Sequence, residues 1–170
     1  MHTEFSRPVK AGHIHGAAQS YELAADKPTR AILAERFSLP AIAALTGVFV
    51  LQHHRGGIIA ADLLMKAQVT QLCVVTLEPF EATIEERVAL HFVPTAKLAD
   101  EEELAPESLE GPDEIPYEDD VIDLGEALAE QLALALDPYP RKPGAELPPE
   151  ATDGDASPFS ALKAKFGKPS

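Results

Sequence analysis

Cysteine is nearly missing from this 170-residue chain, tryptophan is absent, and only 6% of the residues are aromatic. The single thiol, Cys73, excludes an internal disulfide and argues for a reducing, cytoplasmic location. It also leaves a metal reading without the further thiolates of a structural zinc site, since the position three residues on is Thr76. So few aromatics leave no evident stacking platform for nucleotide bases. Long apolar runs are lacking too. The longest, "LPAIAALTGVFVL" from Leu39 to Leu51, is shorter than the roughly 20 residues of a membrane-spanning helix, and it holds Pro40, Thr46 and Gly47. With no apolar core in the N-terminal "MHTEFSRPVK", neither a membrane span nor a secretory leader is expected.

Basic residues are scarce in one half only. Of the formal net charge of −14, residues 1–94 contribute −1 (eight Lys and Arg, nine Asp and Glu) and residues 95–170 contribute −13 (six against nineteen). Phosphate binders gain by releasing counterions with Lys and Arg, so this balance disfavours DNA and any broad RNA contact. A basic protein is the natural electrostatic complement. The length and a 45% hydrophobic content suit one domain with a core. The expected layout is a single α+β domain over 1–147, with an acidic mobile loop at about 95–120, and a flexible tail over 148–170.

Along the chain, "SYELAA" (Ser20–Ala25) reads as a strand. Asp26 then caps a helix "KPTRAILAERF", with Pro28 in its first turn and a stripe of Ile32, Leu33, Arg36 and Phe37 on one side. Two β-rich runs flank "HRGG", where Gly56 and Gly57 supply the positive φ of a tight hairpin. On the second run Ile59, Ala61, Leu63, Met65, Ala67 and Val69 share one face. After a turn at "TLEPF", with Pro79 as breaker, a third run sets Ile84, Val88, Leu90 and Phe92 against Thr83, Glu85, Arg87 and His91. This predicts a curved antiparallel β-meander or partial barrel with a few short helices packed on it and one solvated sheet face.

From Thr95 to Asp120 the periodicity stops, though "DEIPYED" offers Ile115 and Tyr117 beside a proline as an extended docking segment. In "VIDLGEALAEQLALAL", Asp123 and Glu126 form a variant capping box, and Leu124, Leu128, Leu132 and Ala135 or Leu136 fall on one side. No β-branched residue occurs from Leu124 to Leu136, so the Leu-Ala alternation belongs to a helix, which Asp137 before Pro138 closes. Pro138, Pro140 and Pro143 stiffen its exit around Tyr139, Arg141 and Lys142. Further on, Phe159, Leu162 and Phe166 share a face in a short amphipathic piece carrying Lys163, Lys165 and Lys168.

Candidate chemistry is thin. Cys73 reads as a buried core thiol. His53 and His54 point to opposite strand faces, and His13 and His15 make at most a two-ligand set. The paired acids Glu85–Glu86 and Asp119–Asp120 have no apolar enclosure to raise a pKa and read as solvated surface. No phosphate-cradling, dinucleotide or nucleophile-elbow motif is present. No enzyme activity, catalytic residue, metal or cofactor is expected.

The order of "LCVVTLEPF", "DEIPYEDDVIDLGEALAEQLALALDPYPRKPG" and "SPFSALKAKF" resembles the YceD family, named for large ribosomal RNA subunit accumulation. The resemblance implies a role in accumulation or processing of large-subunit ribosomal RNA and carries no catalytic residue over. Many relatives have a Cys-x-x-Cys where this chain has Cys73 and Thr76, so the zinc-free, proteobacterial-type members are the nearer match. The leading expectation is therefore a non-enzymatic factor for large-subunit assembly that contacts a basic ribosomal protein or assembly factor, associating with the rRNA only indirectly. Its contact residues would be Ile115, Tyr117, Tyr139, Arg141, Lys142, Phe159 and Leu162. The alternative is a small RNA-binding module using the hairpin tip Arg55 and a sheet face with Lys66, Arg87 and His91.

Overall fold

The computed structural model describes residues 5–97 and 111–146. Alternation of apolar and polar residues over long runs builds the dominant feature, a five-stranded sheet in the order β2-β3-β4-β5-β6. These strands are β2 (Gln19–Ala24), β3 (Ala41–His53), β4 (Ile59–Leu72), β5 (Pro79–Pro94) and β6 (Asp113–Tyr117). Neighbours pair antiparallel from β2 to β5, and the sheet does not close into a barrel. The Gly56 and Gly57 hairpin joins β3 to β4 with φ of 75° and 80°, a backbone that glycine adopts without steric cost.

Two pairings join segments far apart in sequence. β6 adds to β5 in parallel, with Phe92 opposite Ile115 and Pro94 opposite Tyr117. Part of the stretch expected to be irregular is thus a strand, and its Pro116 sits on the sheet edge, where a missing N–H breaks no ladder. Asp119 and Asp120 follow with φ of 52° and 61°, and the Val121 N–H donates to Glu118 O at 2.9 Å, a tight primed turn. The chain then enters β7 (Val121–Asp123), which pairs antiparallel with β1 (Pro8–Lys10) as a separate small sheet. Asp120 is more than solvated surface. It accepts from the Ala11 N–H at 2.9 Å through its carbonyl and from the Gly12 N–H at 2.8 Å through its carboxylate.

The two helices with capping signals in the sequence lie where those caps predict. α1 (Lys27–Arg36) starts at Asp26, whose carboxylate accepts from the Thr29 N–H at 2.9 Å. Its buried side carries Leu33 and Ala34, whereas Ile32 is 42% exposed. Phe37 packs against the core from the end of the helix, so the inner side is set by Leu33, Ala34 and Phe37. α2 (Leu124–Ala135) ends with Leu136 already extended, one residue before Asp137. Pro79 likewise opens β5 instead of standing in the turn. Arg36 joins the two helices by a two-pronged bond to Glu126, at 2.7 and 3.2 Å.

The core fills the concave side of the sheet. Leu45, Phe49, Leu51, Leu63, Met65, Leu90 and Phe92 point into it and are fully buried, met by Leu124, Leu128 and Leu132 from α2. Burying each such side chain is worth about 1.5–3 kcal/mol. A Cβ at Gly47 would lie 2.8 Å from Leu128 Cδ1, so the missing side chain is what lets α2 approach β3. Asp123 fastens the N-terminus to this helix. Its carboxylate accepts from the Gly125 and Glu126 N–H groups and also from Ser6 Oγ and the Arg7 N–H.

Candidate functional site

The convex side of the sheet is the open one. Because strand side chains alternate, the register places rows of outward residues across it: Glu22, Val48, Leu64 and Arg87 in one, Ser20, Val50, Asp62 and Ala89 in the next. No described element lies over these rows. Leu64 is 46% exposed and Val50 is exposed beside it. Acids outnumber cations across this face: Glu22, Asp62, Glu81, Glu85 and Glu114 point outward, against Lys66 and Arg87, the latter directly opposite Leu64. Lys66 is already engaged, donating to Glu85 Oε1 at 3.0 Å. The surface therefore has an apolar strip on a face of net negative charge.

A second apolar surface lies where the sheet ends. Cys73–Glu78 closes the β4–β5 turn with the Cys73 N–H bonded to Glu78 O at 2.9 Å and the Leu77 N–H to Cys73 O at 2.8 Å. The proline-rich exit of α2 runs back along it. Gln71 Nε2 donates to Asp137 O at 3.3 Å, the Val74 N–H to Pro140 O at 2.9 Å, and Lys142 Nζ to Glu78 Oε2 at 3.0 Å. Inside the turn, a hydrogen bond from Thr76 draws the Cys73 thiol down to about 7 against the opposing push of burial. A fully buried sulfur has no path to a substrate.

The residues expected to form one contact site are dispersed. Ile115 and Tyr117 lie on β6, their inner sides packed against the chain's own core, and Tyr117 Oη donates to Gly57 O at 2.6 Å. Burial raises the Tyr117 phenol above its usual range, with the nearby Asp120 charge adding to it. Tyr139, Arg141 and Lys142 sit at the other end of the sheet beside the β4–β5 turn, all solvent-exposed. Phe159 and Leu162 lie outside the described residues.

The alternative set is spread out as well. From the level of Ile59, beside the hairpin that carries Arg55, β4 runs seven residues to Lys66, roughly 23 Å at strand rise. His91 is half-buried at the hairpin end, its ring 6.2 Å from that of His54. His53 and His54 are exposed, and His15 Nδ1 rests 3.1 Å from Gly12 O. Among the described residues, no three His, Cys, Asp or Glu side chains gather as a metal site would require. No helix there is long and apolar enough to cross a membrane.

Two features had no signal in the pattern of residues. Leu77 adopts φ of 59°, and the open strip on β3 and β4 depends on which strand face is left uncovered. Only the solvated-face expectation pointed toward the latter. Comparison with family models matches residues 61–164 to the one described as large ribosomal RNA subunit accumulation protein YceD. The matched span starts on β4 and takes in the β4–β5 turn, β5, β6 and α2. Searches of curated proteins and of solved structures return no match.

Proposed function

We infer that this chain, which belongs to the large ribosomal RNA subunit accumulation family YceD, is a non-enzymatic factor supporting that accumulation and ribosome assembly through protein contacts. The observation that carries the protein-contact reading is the outward sheet face, where Val48, Val50 and Leu64 form an apolar strip among more carboxylates than cations. An apolar strip on a face of net negative charge fits a partner that offers apolar side chains among lysines and arginines. Ribosomal proteins and their assembly factors answer to that description. The net charge of −13 over residues 95–170 adds to the chain's long-range attraction for such a partner.

Direct RNA binding draws less support. Lys66 is neutralised by Glu85, and the outward acids outnumber the cations on the face that RNA would have to meet. The test is capture from bacterial lysate on the full chain at physiological and at high salt, beside the Leu64→Asp variant. Ribosomal proteins or assembly factors should be retained at physiological salt and lost both at high salt and from the variant. Their absence at physiological salt sinks the reading. Deleting residues 98–110, which spares β6, separates the rivals: tighter RNA binding would support the RNA module, and weaker protein capture the adaptor.

A further inference from the structure

We propose that the apolar end formed by the β4–β5 turn and the proline-rich exit is a docking surface for this chain's own C-terminal segment, residues 158–166. Three large apolar side chains stand exposed where the turn meets the exit: Val74, Leu77 at 77% and Tyr139 at 73%. Single exposed apolar residues are ordinary, but here the bond from the Val74 N–H to Pro140 O holds the turn and the exit together as one surface. Leu77 is also held in the left-handed region, with φ of 59°. A leucine in that region carries a steric cost that glycine avoids, so the backbone of the turn by itself does not account for a large apolar residue at this exposed position.

The occupant follows from where the chain leaves this surface. Lys142 is bonded to Glu78 in the turn, and the Ala145 N–H closes back on Lys142 O at 3.0 Å, so the chain departs at Glu146 from beside the turn. From there 147–157 lead to Pro158, a tether that extends to about 35–40 Å at most and so reaches the turn with slack. A tether of this length sets an effective concentration in the millimolar range, so a contact too weak between separate molecules is populated within one chain. The segment matches in apolar character, since Phe159, Leu162 and Phe166 recur at helical spacing.

Hydrogen exchange on the full-length chain, compared with Leu77→Gly and with Tyr139→Ser, tests this. Glycine suits the left-handed backbone and serine replaces an exposed ring, so both variants keep the fold, which far-UV circular dichroism checks. In the parent chain the amides of residues 159–166 should exchange severalfold more slowly than in either variant, at every protein concentration. As the chain has no tryptophan, Phe159→Trp adds a single reporter whose emission should be blue-shifted and should move red when combined with Leu77→Gly. Unprotected amides in the parent chain overturn the proposal, as does protection that both variants retain. Protection that fades on dilution, with a doubled mass in light scattering, assigns the surface to a second copy and overturns it equally.

Discussion

Leu63 and Leu64 are neighbours on β4, yet the first is fully buried and the second is 46% exposed. One backbone alternation sends them to opposite faces of one sheet. The inner face is closed by α2 and the core, and its residues are answerable to packing. No element of the described residues covers the outer face, so packing among those residues does not account for its apolar side chains. Leu63→Ala should lower unfolding free energy by about 2–5 kcal/mol, whereas Leu64→Ala should stay within about 0.5 kcal/mol, both read from denaturant midpoints. Partner capture should rank the other way, with Leu64→Asp losing it. If Leu64→Ala costs as much as Leu63→Ala, the outer face is covered in solution and the contrast fails.

A smaller effect is expected at Asp123, which tests how the inner face is closed. Asp123→Ala removes the cap of α2 and its tie to Ser6 and Arg7, and should cost about 1–2 kcal/mol. The pH dependence has a definite sign. Burial pushes the Asp123 carboxyl up, but hydrogen bonds from Ser6, Arg7, Glu126 and Gly125 outweigh it and hold the carboxyl below its ordinary 3.8. A group depressed on folding stabilises above its unfolded pKa and loses that contribution as pH falls through the folded value. Acid titration of the unfolding midpoint should therefore separate parent and Asp123→Ala near neutrality, and the two should converge below about pH 3.8.

The comparison also marks what the sequence makes legible. The alternation from Ile59 to Val69 identified the inner face of β4 residue by residue, and the caps at Asp26 and Asp123 placed both helix starts, because each signal is local. The pairings of β6 with β5 and of β1 with β7 escaped it. They join segments whose hydrogen-bonding groups carry no side-chain code, and "DEIPY" with its proline reads as loop until an edge is there to receive it. The same holds for the candidate surface. Tyr139, Arg141 and Lys142 stood out as residues, yet the segment they lie in is bonded to Val74 and Glu78, in a turn about 65 residues earlier in the chain. Leu77 was invisible for a further reason, since nothing in a leucine announces a left-handed backbone.

The smallest stability effect gives the sharpest separation between the two functional readings. Lys66 and Glu85 form an ion pair on the outer face with both side chains more than half exposed, so Lys66→Ala should cost no more than about 0.2–1 kcal/mol. Its effect on binding has opposite signs under the two readings. Removing the lysine frees the Glu85 carboxylate and makes the face more negative, so a basic protein partner should be captured more strongly at low salt, with the gain screened as salt rises. An RNA ligand would instead lose one of the few cations on that face, and its affinity should fall together with its salt dependence. Titrating parent and Lys66→Ala against the captured protein and against ribosomal RNA fragments decides between them: weakened protein binding with weakened RNA binding would overturn the adaptor reading, even with the fold unchanged.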